Sequence, residues 1–327
     1  MGDVAIRVED LAKRFGPVVA LDGVDFEVPA ATIFGLLGPN GAGKTTAVRV
    51  LTTIIPPDRG RAEVLGHDVV RDADAVRLRI GLAGQSAAVD ENLTGRENLR
   101  LIGRLAQMPG RLIAPRADTL LDRFELTKAA DRPVRTYSGG MRRRLDVAAS
   151  LVHRPQVLFL DEPTTGLDLH SRGELWNMIR ELVDAGTTVL LTTQYLEEAD
   201  RLAHRVAVVD RGTVIAEGTP VELKSRLGAT VVELGYGEQQ HQAARATDLV
   251  ARLIPGRPEL EFGTVRITAN DGSRVLVDAL RSLDAADLSP ITVAVREPSL
   301  DDVFLALTGR HAEAPGNDKH AADRGDQ

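Results

Sequence analysis

Short unbroken apolar runs alternate with longer mixed segments over the first two hundred or so residues. Ile33–Leu37, Val157–Leu160, Thr187–Thr192 and Val206–Val209 are each too short for a free-standing helix and are bounded by Gly, Asp or Pro. Such runs predict strands buried on both faces, as in a parallel sheet. Val4–Val8 and Val24–Val28 alternate apolar with polar positions and predict antiparallel edge strands. Between about Asn92 and Arg135 the β-branched runs stop and helical spacing takes over, as at Leu99, Ile102 and Leu105 and at Leu120, Leu121 and Phe124. The pattern predicts an α/β domain over residues 4–227 with a helical insert at about 92–150.

A second, smaller α+β domain is expected over 228–310, with its boundary at Gly228. It comprises a strand at Thr230–Leu234, a helix to about Ile254 and a strand pair around Gly263. Helix Ser273–Leu283, strand Ile291–Val295 and a last helix follow. Ser299 and Asp302 have the spacing of a capping box for that last helix, whose Leu300, Val303, Phe304 and Leu307 form one apolar stripe. From His311 to Gln327 the composition predicts a disordered tail.

Composition narrows the chemistry. The 327 residues contain no cysteine, which excludes disulfides, thiolate metal sites and cysteine nucleophiles. A net charge of −7 argues against a nucleic-acid partner. No stretch approaches the roughly 18 apolar residues that cross a bilayer. Met1–Val4 lacks a secretion pattern. The chain is expected inside the cell, held at any membrane by something else.

One segment states a ligand. Gly38-Pro39-Asn40-Gly41-Ala42-Gly43-Lys44-Thr45, with Thr46 beyond it, fits G-x-x-x-x-G-K-[ST] between a buried strand and a helical segment. The glycines let backbone N–H groups turn toward an anion, and the helix N-terminus adds partial positive charge. Lys44 is expected on the β/γ-phosphates of ATP and the Thr45 hydroxyl on Mg2+. Asp161, at the carboxyl end of a buried strand, can hold Mg2+ through a water. Glu162 points differently by strand alternation and can orient the attacking water as general base. Ser138-Gly139-Gly140 opens another helical run and makes a second anion site. A single nucleotide has no need of two cradles, so the second is expected to close on ATP held by a second copy, which makes the working unit a homodimer.

With these motifs, Ile6 to Gly218 resembles the nucleotide-binding subunits of ABC transporters. The resemblance implies a P-loop ABC ATPase fold with an inserted helical subdomain. It implies that Phe15 stacks on adenine and that Gln85 joins Mg2+ and the attacking water to the membrane partner. Ser138–Gly140 becomes the signature that touches the γ-phosphate across the dimer, and Asp168, in Gly166-Leu167-Asp168, lies in the loop linking the two sites. Three further segments resemble the daunorubicin/doxorubicin-resistance exporter ATPases: Thr136-Tyr-Ser-Gly-Gly-Met-Arg-Arg-Arg144, Leu191-Thr-Thr-Gln-Tyr-Leu-Glu-Glu-Ala-Asp200 and Pro298-Ser-Leu-Asp-Asp-Val-Phe-Leu305. That group implies export of a hydrophobic drug, polyketide or lipid through a separate ABC-2 type permease, with this chain peripheral on the cytoplasmic face of the membrane.

The chain departs from the wider pattern at Gln194, where a histidine is usual, and at Tyr137 and Met141, where Leu and Gln are usual. Glutamine can donate a hydrogen bond to phosphate but cannot become charged. With Glu162 intact, hydrolysis is expected to persist. Arg142-Arg143-Arg144 diverge around a helix and are expected not to make one patch for nucleic acid or lipid. The alternative is a soluble ABC ATPase acting on ribosomes or DNA, but those versions carry two cassettes or long coiled coils, and this chain has one P-loop and one signature. A simple P-loop kinase or GTPase leaves Ser138–Gly140 and Gln85 without a role.

Overall fold

The buried apolar runs become the centre of a six-stranded sheet because helices or a second sheet cover both its faces. The computed structural model describes residues 3–85, 88–226, 230–253, 258–269 and 271–309. The chain opens with β1 (Val4–Phe15), β2 (Val18–Pro29), β3 (Ile33–Leu37) and α1 (Lys44–Leu51). β4 (Arg59–Val64), β5 (His67–Asp68), α2 (Ala73–Arg77) and β6 (Ile80–Ala83) follow. Next come α3 (Gly95–Leu105), α4 (Gly110–Arg123), α5 (Gly139–Ser150), β7 (Val157–Asp161) and α6 (Leu169–Asp184). The unit closes with β8 (Thr188–Thr193), α7 (Leu196–Leu202), β9 (Arg205–Asp210) and β10 (Thr213–Gly218).

The large sheet has the order β10-β9-β3-β8-β7-β6, parallel from β9 to β6. Alternate residues of its strands serve two cores. Leu158 and Leu160 face the helices with Val147 and Ile179, whereas Val157 and Phe159 face α1 and the small sheet with Val48 and Val8. This double burial explains why no alternation shows in the sequence. The small sheet is antiparallel with the order β2-β1-β4-β5. There β1 lies inside the sheet, paired on both sides. The expectation of two edge strands therefore fails for Val4–Val8, because Arg59–Val64 supplies a partner that its polar, glycine-containing sequence hid. Between β6 and β7 the described residues form helices and turns without a named strand, and α3 begins with a Thr94/Glu97 capping box.

The division into compact units falls between Glu217 and Gly218, ahead of Gly228. The expected boundary at Gly228 and the expected tail 311–327 lie outside the described residues. The second unit contains α8 (Pro220–Ser225), β11 (Thr230–Gly235), α9 (Gln240–Leu253), β12 (Pro258–Glu261) and β13 (Thr264–Ala269). It ends with α10 (Gly272–Asp284), β14 (Thr292–Arg296) and α11 (Leu300–Thr308). Its antiparallel sheet, β12-β13-β11-β14, packs Val232, Leu234, Val265 and Ile267 against Ala243, Ala246 and Val250 of α9 and Ala279 and Leu283 of α10. The Ser299/Asp302 capping box is present, and Leu300, Val303 and Phe304 are buried while Leu307 stays half exposed. Among the described residues no helix is long and apolar enough to cross a membrane.

Candidate functional site

At the carboxyl end of β3 the chain turns through Gly38–Gly43 into α1, and two of its glycines are required there. A Cβ on Gly38 would stand 2.2 Å from the Val209 carbonyl oxygen, and one on Gly43 would stand 2.4 Å from that of Ala20, at φ 111°. No side chain caps α1. Lys44 is buried, with Nζ donating to the carbonyls of Gly38 at 2.7 Å and Pro39 at 3.1 Å. The same ammonium stands 3.5 Å from Glu162 Oε1.

The next residue meets the end of β7. Thr45 Oγ1 donates to Asp161 Oδ1 at 3.2 Å, and Gln85 Nε2 donates to Thr45 Oγ1 at 3.4 Å. Thr192 of β8 lies beside Asp161 in register; its hydroxyl donates to Asp161 Oδ1 at 2.5 Å and accepts from the Glu162 amide at 3.1 Å. Glu162 turns away from Asp161 for a reason other than strand alternation. β7 ends at Asp161, and Glu162 sits in the left-handed region at φ 50°, which costs an L-residue about 1–2 kcal/mol. Two bonds from its amide, to the carbonyl and hydroxyl oxygens of Thr192, hold it there.

The structure thus brings Lys44, Thr45, Gln85, Asp161 and Glu162 together. Ser138–Gly140 and Asp168 meet at a second place. Ser138 caps α5 by accepting from the Met141 amide at 3.2 Å, and Asp168 caps α6 by accepting from the Ser171 amide at 2.9 Å. A Cβ on Gly140 would come within 2.8 Å of Ser171 Oγ, which itself donates to Asp168 Oδ2. The Ser171 amide and hydroxyl hold the Asp168 carboxyl below the usual carboxylate range. Phe15 ends β1 with its ring half exposed and the Lys13 ammonium 5.8 Å from its centroid. Gln194 follows β8, and its Oε1 is buried without a hydrogen-bond partner among the described residues.

The glycine-lined turn into α1 thus meets amide and carboxylate groups at the ends of β6 and β7. Residues 21–165 match the ABC transporter family model. The chain is 53% identical over 309 residues to the daunorubicin resistance ATP-binding protein DrrA3 of Streptomyces coeruleorubidus, covering 94% of this chain and 97% of that one. The chain belongs to the ATP-binding subunits of ABC transporters. Within them it falls in the group of the daunorubicin/doxorubicin-resistance ATP-binding proteins, and the S. peucetius protein of that description is 49% identical across 98% of this chain and 97% of its own. An ATP-binding cassette solved in its ADP conformation superposes with a TM-score of 0.60 at 26% identity, covering 67% of this chain and 92% of that one.

Sequence reading of this ABC subunit passed over Thr192 and, though it marked Tyr137 as a departure, gave that residue no contact. Thr192 is a polar residue in an apolar strand, and its role follows only from register with Asp161. Tyr137 is a buried anchor whose hydroxyl donates to the Ala129 carbonyl at 2.7 Å and leaves no room for a Cβ at Gly95. Nothing in its spacing signals that contact.

Proposed function

We propose that this ABC subunit hydrolyses ATP as a homodimer and thereby drives export of a hydrophobic drug, polyketide or lipid through a separate ABC-2 type permease. That permease holds it on the cytoplasmic face of the membrane. The observation that carries the proposal is the meeting of Lys44, Thr45, Asp161, Gln85 and Glu162 at the mouth of the phosphate cradle. The names of the relatives, which tie those subunits to daunorubicin or doxorubicin resistance, support the cargo class.

Magnesium fits the oxygen donors present. The Thr45 hydroxyl, the Asp161 carboxylate and the Gln85 amide oxygen would hold Mg2+, which when bound neutralises phosphate charge. The small donor set suits an ion that keeps waters and phosphate oxygens as its remaining ligands. Lys44 binds the β/γ-phosphates in competition with Glu162, whose freed carboxylate orients the attacking water and accepts its proton. Gln194 donates its amide to the γ-phosphate, and Phe15 stacks on adenine. Ser138–Gly140 offers its hydroxyl and amides to the γ-phosphate on the partner copy, and Asp168 lies in the loop that links the two sites. ATP is bound more tightly by the closed dimer than by the open one, and that difference moves the permease.

Replacing Glu162 with Gln removes the proton acceptor but leaves the cradle. The expected result is loss of turnover, with ATP-dependent dimers visible by light scattering. A Glu162→Gln chain that stays monomeric with ATP, even beside its cognate permease, would overturn the dimer mechanism. Recovery of the subunit in the membrane fraction without any co-expressed permease would contradict its mode of attachment.

A further inference from the structure

The three consecutive arginines that follow the signature do not behave alike. Arg142 reaches the exposed Glu91 at 2.9 Å, and Arg144 reaches Glu174 at 3.2 Å. The three diverge to different partners, as their helical spacing leads one to expect, and Arg143 turns inward, its side chain only 10% exposed. Its Nε donates to the Pro163 carbonyl at 2.8 Å and its Nη2 to the Asp161 carbonyl at 3.2 Å. Its Nη1 donates to the Gly84 carbonyl and to Asp146 Oδ2, the latter at 3.2 Å. Asp146, buried one turn along α5, accepts the Ala88 amide on its other oxygen at 2.7 Å.

These partners share one property. Asp161 and Pro163 are the neighbours of Glu162, Gly84 is the neighbour of Gln85, and Ala88 lies three residues past it. Glu162 sits in an unfavourable backbone conformation, and Gln85 is exposed on a loop with one long hydrogen bond to Thr45. Thr192 holds the Glu162 amide, and one guanidinium, from the helix that starts at Ser138–Gly140, adds bonds to the carbonyls on either side of Glu162 and to the one before Gln85. Burial pushes the Asp146 carboxyl up, while the Ala88 amide and Arg143 pull it back.

We infer that Arg143, together with Asp146, is a positioning pair through which the signature helix sets the placement of both Glu162 and Gln85. The inference rests on the reading of Glu162 and Gln85 given above. Arg143 touches no reacting atom; it acts through the carbonyls around those residues. A planar fork with five donors can meet acceptors on three separate segments at once, which a lysine ammonium on a single stem cannot do. Engagement of Ser138–Gly140 by a partner's nucleotide would move α5, and the pair would carry that movement to the water-orienting carboxylate and to the permease-facing loop together.

The test uses the full chain with its permease and compares Arg143→Lys, Asp146→Asn and the double variant with wild type. Arg142→Lys serves as a control on the neighbouring arginine, whose partner is the exposed Glu91. For Arg143→Lys, kcat should fall at least ~10-fold while the nucleotide affinity, read with a fluorescent ATP analogue, stays within ~2-fold. Asp146→Asn, which keeps an acceptor for Ala88 but weakens the tie to Arg143, should lower kcat less. The double variant should be no slower than Arg143→Lys alone, because the two act as one unit. Unchanged kcat in Arg143→Lys would overturn the inference, and so would an equal loss of kcat and nucleotide affinity, the mark of a general structural prop. Should Arg143→Lys fail to fold, an Asp146→Asn chain with wild-type kcat would overturn it equally. Wild-type chain without ATPase activity beside its permease would instead remove the parent reading, and this inference with it.

Discussion

Thr192→Val isolates one hydroxyl at the centre of the site. The side chain is wholly buried, and valine has nearly its shape, so the backbone of β8 need not move. What disappears is a 2.5 Å hydrogen bond to Asp161 and one of two acceptors for the Glu162 amide, which keeps the Thr192 carbonyl at 3.1 Å. A hydrogen bond to a charged group contributes about 1.5–3 kcal/mol, and the added buried methyl offsets about 0.8 kcal/mol of that. A net loss of about 1–2 kcal/mol is expected, equivalent to a midpoint about 2–8 °C lower for a unit of this size. The single tryptophan of the chain, Trp176, is buried in α6, so its fluorescence reports unfolding of the first unit alone. Among the described residues the Asp161 carboxylate then keeps only the 3.2 Å bond from Thr45 to orient it, and the loss of such a supporting partner weakens metal sites by about 10–100-fold. The Mg2+ concentration for half-maximal ATPase should therefore rise about tenfold or more, with most of the rate recovered at saturating Mg2+. Stability within ~0.5 kcal/mol of wild type together with an unshifted Mg2+ titration would refute the reasoning.

Three further outcomes are expected. Glu198 is fully buried beside Trp176, which donates to it at 3.0 Å, and burial pushes its carboxyl above the ordinary value of 4.5. The unfolded chain therefore ionises first, and wild-type stability relative to Glu198→Gln should fall as pH rises from about 4.5 toward the raised folded value. Parallel urea-unfolding curves across that window would count against it. Tyr137→Phe leaves the buried Ala129 carbonyl without its 2.7 Å donor and should cost about 1–3 kcal/mol by the same fluorescence assay, with nucleotide affinity unchanged. Gln194→Ala should depress steady-state turnover more than Gln194→His; equal rates in all three forms would show that this side chain does not contact phosphate.

Much of the architecture was legible because burial on two faces writes itself as unbroken apolar runs. β3 spans Ile33–Leu37, as the sequence pattern expects, and β7, β8 and β9 lie within a residue of their expected ends. β4 and β6 were not legible: Arg59–Val64 is half polar, and Ile80–Ala83 is four residues long with a glycine inside. The cradle was legible because its residues are contiguous and two of its glycines answer to backbone contacts under 2.5 Å. What supports the cradle was not. Thr192 finds Asp161 through strand register, and Arg143 finds Gly84, Asp161 and Pro163 across 59, 18 and 20 positions. Local periodicity holds no trace of either. The left-handed turn at Glu162 was hidden for a related reason: nothing marks a glutamate as the place where a strand reverses its twist until its amide partners are seen.

On the proposed function, the uncapped start of α1 would make nucleotide a structural element as well as a fuel. Side chains of Thr94, Ser138 and Asp168 cap three other helices of this chain, whereas in the proposed function the amides at the start of α1 take phosphate oxygens. By mass action the folded form must then gain about 2.7 kcal/mol when ATP stands at a hundred times its dissociation constant. A cell with ample ATP would thus hold a sturdier subunit than a starved one, and the lifetime of the transporter would follow the energy supply that drives it.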